Sequence, residues 1–324
     1  MKAIFRDGRG GVAIHDVADA PPPGRGEIGV SMRLAPINPA DRLLIAGSYS
    51  LAVPGDEVVG AEGVGVIDAV GAGVDDLSPG DRVLCLERGN WTQRRTVAAE
   101  RVIRVPHSLA DGTAAVLRIN PPTARRLLAC TALERGDWIV LNGAGSMVGR
   151  LLVFLARAMG VRSLCVVRDV ASAKPLLAAL GADAVVADGS DLEARAREII
   201  GPCGARLALD CVAGEATGRL AACLGEAGLL VVYGNLSGTP CTIPPALLTG
   251  RAGVRVEGFS LRPAEAGAGR AALQPMFDEL AEVLGAEPAV IPRHRLFPVS
   301  RISEALAHSG PERTMIALGP EAWT

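Results

Sequence analysis

Short apolar segments separated by Gly and Pro run through the first third of the chain. Such regularly interrupted segments predict the strands of an all-β module. Glycines crowd two places, 60–65 and 71–73, where strands can bulge or approach each other closely, although plain turn formation explains most of them. The predicted strands are 1–5, 27–34, 63–70, 82–86 and 96–105.

After about Ala114 the pattern changes to apolar strands that alternate with longer helix-like stretches, such as 147–159 and 171–180. The second of these ends at Gly181, as a helix C-cap does. Strands alternating with helices predict a parallel sheet covered on both faces. The predicted strands here are 138–141, 163–167, 184–186, 207–209 and 229–233.

The end of the chain is irregular again, with a helix near 271–284 and an edge strand at 314–318, and we expect it to rejoin the first module. A chain of 324 residues is long enough for two cores, since single cores seldom exceed roughly 150–250 residues. The sequence therefore predicts an α/β protein in which a doubly wound sheet domain at 115–261 separates two parts of a β-rich domain, at 1–114 and 262–324.

Composition narrows the possible partners. The net charge of -2 and the pI near 6.1 argue against nucleic acid, because phosphate binding needs a concentrated basic face. The seven cysteines show no C-x-x-C spacing, which indicates reduced core residues. We see neither a secretory signal in the charged start of the chain nor a run of about 18 apolar residues to span a bilayer. These features together lead us to expect a cytoplasmic protein without a membrane partner. The near absence of lysine, with only Lys2 and Lys174, indicates GC-rich bacterial coding.

The segment 137–149 has the context of a dinucleotide-binding turn. It passes from an apolar strand through small residues into a helix, whose N-terminus would offer N–H groups and a favourable dipole to a diphosphate. Three residues separate Gly145 from Gly149, so the spacing departs from G-x-G-x-x-G and the motif alone is weak. A tight turn without a ligand is the alternative.

The next strand ends in Arg168 and Asp169, about twenty residues beyond that turn. A carboxylate at this place binds the ribose hydroxyls of NAD, whereas an arginine attracts the additional phosphate of NADP. Because Arg168 comes first, we favour NADPH over NADH. The alternative is a solvated turn.

A set of separated segments carries a family resemblance. In chain order they are INPAD at 37–41, IAGSY at 45–49, GAEGVG at 60–65, GDRV at 80–83, GNW at 89–91, NPPTA at 120–124, NGAGSMVG at 142–149, VVRD at 166–169, YGNLSG at 233–238 and GFSL at 258–261. Together they resemble the mitochondrial-type trans-2-enoyl thioester reductases, a zinc-independent branch of the medium-chain dehydrogenases and reductases that includes relatives of quinone oxidoreductase. Each segment alone is weak, but the ordered set covers nearly the whole chain.

The resemblance implies a GroES-like catalytic domain built from both chain ends, a Rossmann domain between them and an active site in the cleft. It also implies a homodimer joined near 254–258 and a small-molecule or carrier-bound acyl substrate. Tyr49 matches the catalytic tyrosine, and Asn38, Trp91 and Phe259 match substrate-binding positions. The residues that match cofactor-binding positions are Asn142, Gly145, Ser146, Met147, Val148, Gly149, Arg168, Tyr233, Gly234, Phe259 and Leu261.

The chain also departs from the family pattern. The family often has Asn in place of Gly145, Thr in place of Asn90, and Gly-Lys in place of Glu312-Arg313 before the final strand. These differences leave the substrate open.

Zinc members of the superfamily bind their catalytic metal with Cys, His and a further Cys or Glu. Asn38 and Ala61 stand in the corresponding places, and Glu62 alone cannot hold zinc. The four-cysteine structural lobe is missing, and the four histidines show no ligand spacing. We predict no metal.

Without zinc, a hydride can still reach the β-carbon of an alkene conjugated to a carbonyl if a donor stabilises the enolate charge. Tyr49 could be this donor or could protonate the α-carbon, although a loop tyrosine with a structural role is the alternative. Two other functions stay open. One is reduction of quinones or small enones, and the other is a catalytically inactive NADPH-binding structural or regulatory protein, against which the retention of Tyr49 argues.

Overall fold

The computed structural model describes residues 1–48, 58–250, 253–261, 265, 267–310 and 312–323. The chain divides into two compact units. One, the β-rich unit, combines 1–119 with 267–324, and the other, the parallel-sheet unit, is 120–266. The boundaries predicted from the sequence, after 114 and 261, lie five residues earlier in each case.

Strands form the framework of the β-rich unit. Numbered along the whole chain, they are β1 Lys2–Arg6, β2 Val12–Asp16, β3 Glu27–Pro36, β4 Val64–Val70, β5 Arg82–Cys85, β6 Arg94–Ala98, β7 Val102–Arg104, β14 His294–Pro298 and β15 Arg313–Ala317. A 7-stranded sheet has the order β14-β15-β3-β4-β5-β7, with β6 paired to β3, while β1 and β2 form a separate antiparallel pair. Ile28, Val30 and Met32 of β3 pack into the core of the unit with Ile316 of β15.

Two sequence predictions for this unit need correction. The single strand predicted at 96–105 is two strands, because β6 pairs with β3 whereas β7 pairs with β5, and the turn Ala99–Arg101 between them redirects the chain. The strand predicted at the sheet edge near 314–318 is β15, which lies inside the sheet because β14 pairs with its outer side. β14 escapes the pattern analysis because its first three residues are all exposed.

The helices of the β-rich unit are α1 Pro39–Ile45, α2 Asp111–Ala115, α9 Arg270–Ala286 and α10 Ile302–Ala307. α9 buries Leu273, Phe277, Leu280 and Leu284, a spacing that places them on one helical face. This long helix packs against β7 and α2 of the same unit.

The parallel-sheet unit alternates strands and helices. Its strands are β8 Trp138–Asn142, β9 Arg162–Val167, β10 Ala184–Ala187, β11 Ala205–Asp210, β12 Leu224–Val232 and β13 Arg255–Gly258. Its helices are α3 Asn120–Leu128, α4 Met147–Met159, α5 Val170–Leu180, α6 Leu192–Ile200, α7 Glu215–Ala222 and α8 Pro245–Thr249. All strand pairs are parallel, in the order β10-β9-β8-β11-β12-β13.

This order is the doubly wound arrangement in which the first strand of the unit lies at the centre and the chain reverses direction across it. β8 is buried along its whole length, which is why it appears in the sequence as an unbroken apolar run. The predicted fold class, a β-rich domain with a doubly wound parallel-sheet domain, is confirmed. Within the described ranges, no helix has the length and apolar character needed to cross a membrane.

Candidate active site

The carboxyl ends of the parallel strands meet at one edge of the parallel-sheet unit. Asn142 ends β8, Arg168 follows β9, Tyr233 follows β12 and Phe259 follows β13, so the structure brings these predicted cofactor residues to the same edge. The strand order reverses between β8 and β11, which is where open α/β sheets bind ligands.

The turn after β8 presents the start of α4. The Ser146 hydroxyl accepts a hydrogen bond from the Gly149 N–H at 3.2 Å, and the Ser146 N–H donates to the Gly143 carbonyl at 2.8 Å. The first N–H groups of a helix have no acceptor within it. Those of Met147 and Val148 therefore remain for a partner outside α4, and the helix dipole favours an anionic one.

Two glycines show how this turn fits a dinucleotide. A β-carbon at Gly149 would lie 2.6 Å from the backbone of Ala144, so only glycine lets α4 begin this close to the turn. A β-carbon at Gly145 would meet nothing within 4 Å. The turn is thus tightly packed at Gly149 and open at Gly145, where a diphosphate could approach its backbone.

A buried hydrogen-bond network supports the start of the turn between β8 and α4. The Asn142 amide donates to Oδ1 of Asp210 at 2.6 Å, and its oxygen accepts from the Cys211 N–H at 2.8 Å. Asp210 also accepts from the Thr217 hydroxyl at 2.6 Å. The network joins the ends of β8 and β11. Our sequence reasoning missed Asp210, although a single carboxylate closing an apolar strand is a visible signal.

Arg168 and Asp169 behave differently at the end of β9. The Asp169 carboxylate accepts a hydrogen bond from the Ser172 N–H at 3.3 Å and caps α5. Arg168 is exposed, and its guanidinium has no ion pair within the part of the chain that the structure describes. The arginine, and not the carboxylate, is thus the free group at this position.

Tyr233 and Gly234 directly follow β12 and lie against the end of β11. The Tyr233 N–H donates to the Asp210 carbonyl at 2.8 Å, and its hydroxyl is buried beside the Cys211 thiol. Burial raises the pKa of the Tyr233 phenol well above its usual value and the pKa of the Cys211 thiol to about 11, so both stay protonated at neutral pH. A β-carbon at Gly234 would lie 2.8 Å from the Cys211 carbonyl oxygen, so this position requires glycine.

Phe259 and Leu261 follow the last strand and are both half-buried. The Phe259 N–H donates to the Val232 carbonyl at 2.9 Å, which ties the end of β13 to the end of β12. The Leu261 carbonyl accepts from the Glu265 N–H at 3.1 Å. The first of these bonds keeps Phe259 at the sheet edge that carries the turn.

In the β-rich unit, Asn38 is buried in a polar cluster. Its amide nitrogen donates to Oε1 of Glu62 at 2.9 Å, and its amide oxygen accepts from the Arg313 guanidinium. The same guanidinium lies 3.5 Å from Glu62 Oε1, and Glu62 Oε2 accepts from the Ile119 N–H at 3.0 Å. The Asn38 amide, a predicted substrate contact, thus already has partners on both its oxygen and its nitrogen.

Asp41 is the second carboxylate of this cluster. Its oxygens accept from the Asn38 N–H at 2.9 Å and the Ala61 N–H at 2.8 Å, and Arg88 lies 3.3 Å away. Burial raises the pKa of Asp41, and it raises the pKa of Glu62 from 4.5 to about 7. Sequence reasoning missed Asp41 and saw Arg313 only as a departure from the family pattern.

Trp91 and Tyr49 are the two remaining predicted site residues. Trp91 is fully buried in the core of the β-rich unit, and a β-carbon at Gly60 would lie 2.5 Å from its ring. Its indole packs in the core of this unit, and the substrate-binding role of Trp91 stays a prediction. Tyr49, the predicted catalytic residue, lies outside the described residues.

The described side chains include no group of three or more His, Cys, Asp or Glu close enough to share a metal ion. The charge of the Asn38 cluster also fits zinc poorly, because a buried guanidinium already faces Glu62. A second cation there would meet electrostatic repulsion in a poorly solvated site.

Two protein families match the chain. Residues 24–117 match the alcohol dehydrogenase GroES-like domain, and residues 148–282 match the zinc-binding dehydrogenase family. The first match lies within the β-rich unit, and the second covers most of the parallel-sheet unit and continues into α9 of the β-rich unit.

Individual relatives extend over most of the chain. The mitochondrial enoyl-[acyl-carrier-protein] reductase of Xenopus tropicalis is 32% identical over 297 residues, 89% of this chain and 85% of that protein. The structure of a mycobacterial quinone oxidoreductase is 26% identical with a TM-score of 0.83, covering 99% of this chain and 100% of that one. A mycobacterial protein in complex with NADPH is 26% identical with a TM-score of 0.83, covering 98% and 100%.

Proposed function

This chain belongs to the medium-chain dehydrogenase/reductase superfamily, and we propose that it is an NADPH-dependent reductase that transfers hydride to the β-carbon of a 2-enoyl thioester. The thioester would be carried by coenzyme A or an acyl carrier protein. The 32% identity to an enoyl-[acyl-carrier-protein] reductase over 85% of that protein supports this substrate class.

The observation that carries the proposal is the turn between β8 and α4. Gly149 packs on Ala144, the turn is open at Gly145, and Met147 and Val148 begin a helix with free N–H groups. These residues would hold the diphosphate of the cofactor, with Asn142 fixed beneath them. Tyr233, Gly234, Phe259 and Leu261 lie at the same sheet edge and would border the remainder of the cofactor.

The choice of NADPH rests on Arg168. A planar guanidinium without an ion-pair partner among the described residues suits a phosphate, whereas the neighbouring Asp169 is engaged as a helix cap and is less available to ribose hydroxyls. A structural relative bound to NADPH supports the same choice.

Bound NADPH supplies the hydride. The chain must then stabilise the negative charge that gathers on the thioester oxygen and deliver a proton to the α-carbon. Tyr49 is the proposed donor for one or both of these tasks, directly or through water. The Asn38 cluster supports zinc-independent chemistry, since Arg313 provides beside Glu62 the positive charge that a metal would bring.

Reduction of quinones or small enones is the second candidate, favoured by the structural similarity to a mycobacterial quinone oxidoreductase. A spectrophotometric assay of NADPH oxidation with crotonyl-CoA, longer enoyl-CoA esters, 1,4-benzoquinone and methyl vinyl ketone separates the two. We expect the highest kcat/KM with an enoyl thioester. Faster turnover of the quinone would favour the second function, and NADPH binding without turnover of any acceptor would favour an inactive binding protein.

A homodimer is a further part of the proposal. β13 is the last strand of its sheet, all its residues are exposed, and Val256 is 41% exposed. An exposed strand edge is a template for pairing with another chain. A second copy paired here would continue the sheet and cover this edge.

A further inference from the structure

The β-rich unit buries three charged groups in one place. Asp41 and Glu62 have no exposed surface, and the Arg313 side chain is 11% exposed. Charges are seldom buried without a specific partner, because removal from water is costly. The burial of this cluster therefore indicates that it has a structural or functional role.

Arg313 and Glu62 hold the Asn38 side chain from both ends. The guanidinium donates to the amide oxygen, and the carboxylate accepts from the amide nitrogen at 2.9 Å. The guanidinium also faces Glu62 at 3.5 Å, so the three side chains form a closed ring of contacts. Either partner alone would leave one end of the amide unheld.

The ring is joined to the start of α1. Asn38 directly precedes that helix, and Asp41 in its first turn accepts from the Asn38 and Ala61 N–H groups at 2.9 and 2.8 Å. α1 ends at Ile45, and only three residues separate that end from Tyr49. The cluster thus fixes the base of the helix that leads to the proposed catalytic tyrosine.

We infer that Arg313 is a positioning residue: its buried guanidinium holds the amide of Asn38, a proposed substrate-binding residue, and balances Glu62, and through them it fixes the start of α1. The inference rests on the proposed function for its catalytic consequence. Arg313 acts through its neighbours and makes no contact with the reacting atoms.

The shape of the side chain matters as well as its charge. A guanidinium presents several N–H donors in one plane and can contact Asn38 and Glu62 at the same time, whereas an ammonium group is a compact point charge. Lysine at position 313 should therefore retain part of the effect, and methionine should lose it.

The test compares R313K, R313M, E62Q and the double variant R313M/E62Q at pH 8, with crotonyl-CoA and NADPH. Arg82 offers a matched control, because it is an equally buried arginine of the same unit that pairs with Asp111 at 2.5 Å and belongs to no proposed site. For each variant, kcat, KM, the dissociation constant of NADPH and the urea midpoint of unfolding are measured.

We expect R313M to lower kcat about tenfold or more while NADPH affinity changes less than about threefold, since positioning errors act on the chemical step. R313K should recover part of kcat. R82M should lower the urea midpoint and keep kcat. A kcat of R313M within about threefold of the parent, or an equal loss in R82M, would overturn the inference.

Unfolding supplies a readout that needs no substrate. Replacing Arg313 alone leaves the buried charge of Glu62 without its ion-pair partner, whereas replacing both residues leaves no unpaired charge. The urea midpoint of R313M/E62Q should therefore lie above that of R313M, and the double variant replaces R313M in the kinetic test if R313M does not fold. If the midpoint shifts of R313M and E62Q add up to the shift of the double variant, the pairing of Arg313 with Glu62 is refuted. Absence of enoyl reduction in the parent protein would instead refute only the proposed function.

Discussion

Gly149 lies so close to Ala144 that a β-carbon added to it would sit 2.6 Å from the Ala144 backbone. This contact sets the height at which α4 starts above the turn, and hence where its first N–H groups point. We expect G149V to displace the turn and to weaken NADPH binding about tenfold to a hundredfold, measured by calorimetry.

Gly145 provides the control for that prediction. Its β-carbon position meets no protein atom and its backbone does not need glycine, so G145A should keep the melting temperature, whereas its methyl group would stand in the opening proposed for the diphosphate and should weaken NADPH binding. Equal losses of melting temperature in G145A and G149V would mean that the tight contact at Gly149 is not what matters.

Arg168 should decide between the two nicotinamide cofactors. R168Q removes a charge that can bind a phosphate, so we expect NADPH affinity to fall about tenfold to a hundredfold and NADH affinity to stay nearly constant. D169A should instead cost about 1 kcal/mol of stability through loss of the α5 cap and leave the preference for NADPH unchanged. Parallel losses for both cofactors in R168Q would exclude a phosphate-specific role.

Tyr49 carries the proton-donor hypothesis. Y49F removes only the hydroxyl, and loss of a donor to a developing oxyanion or of a general acid lowers kcat about a hundredfold or more. NADPH affinity should not change, because the proposed cofactor contacts lie in the other unit. Pre-steady-state NADPH oxidation with crotonyl-CoA measures the step directly. An undiminished rate in Y49F would remove the assignment while leaving the cofactor prediction intact.

Glu62 should make folding stability depend on pH. Its pKa is about 7 in the folded protein, against 4.5 for an ordinary glutamate, so the folded state binds more protons between these values. The resulting stabilisation is complete below about pH 4.5 and is lost as pH rises through 7, with a maximum near 3 kcal/mol. Asp41, whose pKa burial also raises, adds a slope of the same sign.

Urea unfolding at pH 5.5 and pH 8.5 tests this prediction. The free energy of unfolding of the parent should be lower at pH 8.5 than at pH 5.5, and this decrease should be smaller in E62Q because the contribution of Glu62 is then absent. Identical slopes in the parent and E62Q would show that Glu62 does not titrate in this range.

Local signals made much of the fold predictable. The predicted helix at 147–159 has the same bounds as α4, because Ser146 caps its start and Gly160 in the left-handed conformation ends it. The family resemblance is confirmed by a relative that is 32% identical. The parallel direction of the strands follows from their alternation with helices.

Contacts between distant parts of the chain were less predictable. The pairing of Arg313 with Glu62 joins the two ends of the β-rich unit, and no local pattern marks either residue as buried. Likewise β14 becomes the edge strand only because it pairs with β15. Trp91 is buried because residues distant in the sequence pack around its side chain. Such relationships depend on three-dimensional packing that residue spacing does not encode.

The central claim is hydride transfer to the β-carbon of an enoyl thioester, and isotope tracing tests it most directly. Crotonyl-CoA is reduced with NADPH that carries deuterium at the transferred position, and the butyryl product is analysed by NMR and mass spectrometry. The account predicts one deuterium at C3 and, in deuterated solvent, a second at C2. Deuterium absent from the acyl chain, or found at a different carbon, would contradict it.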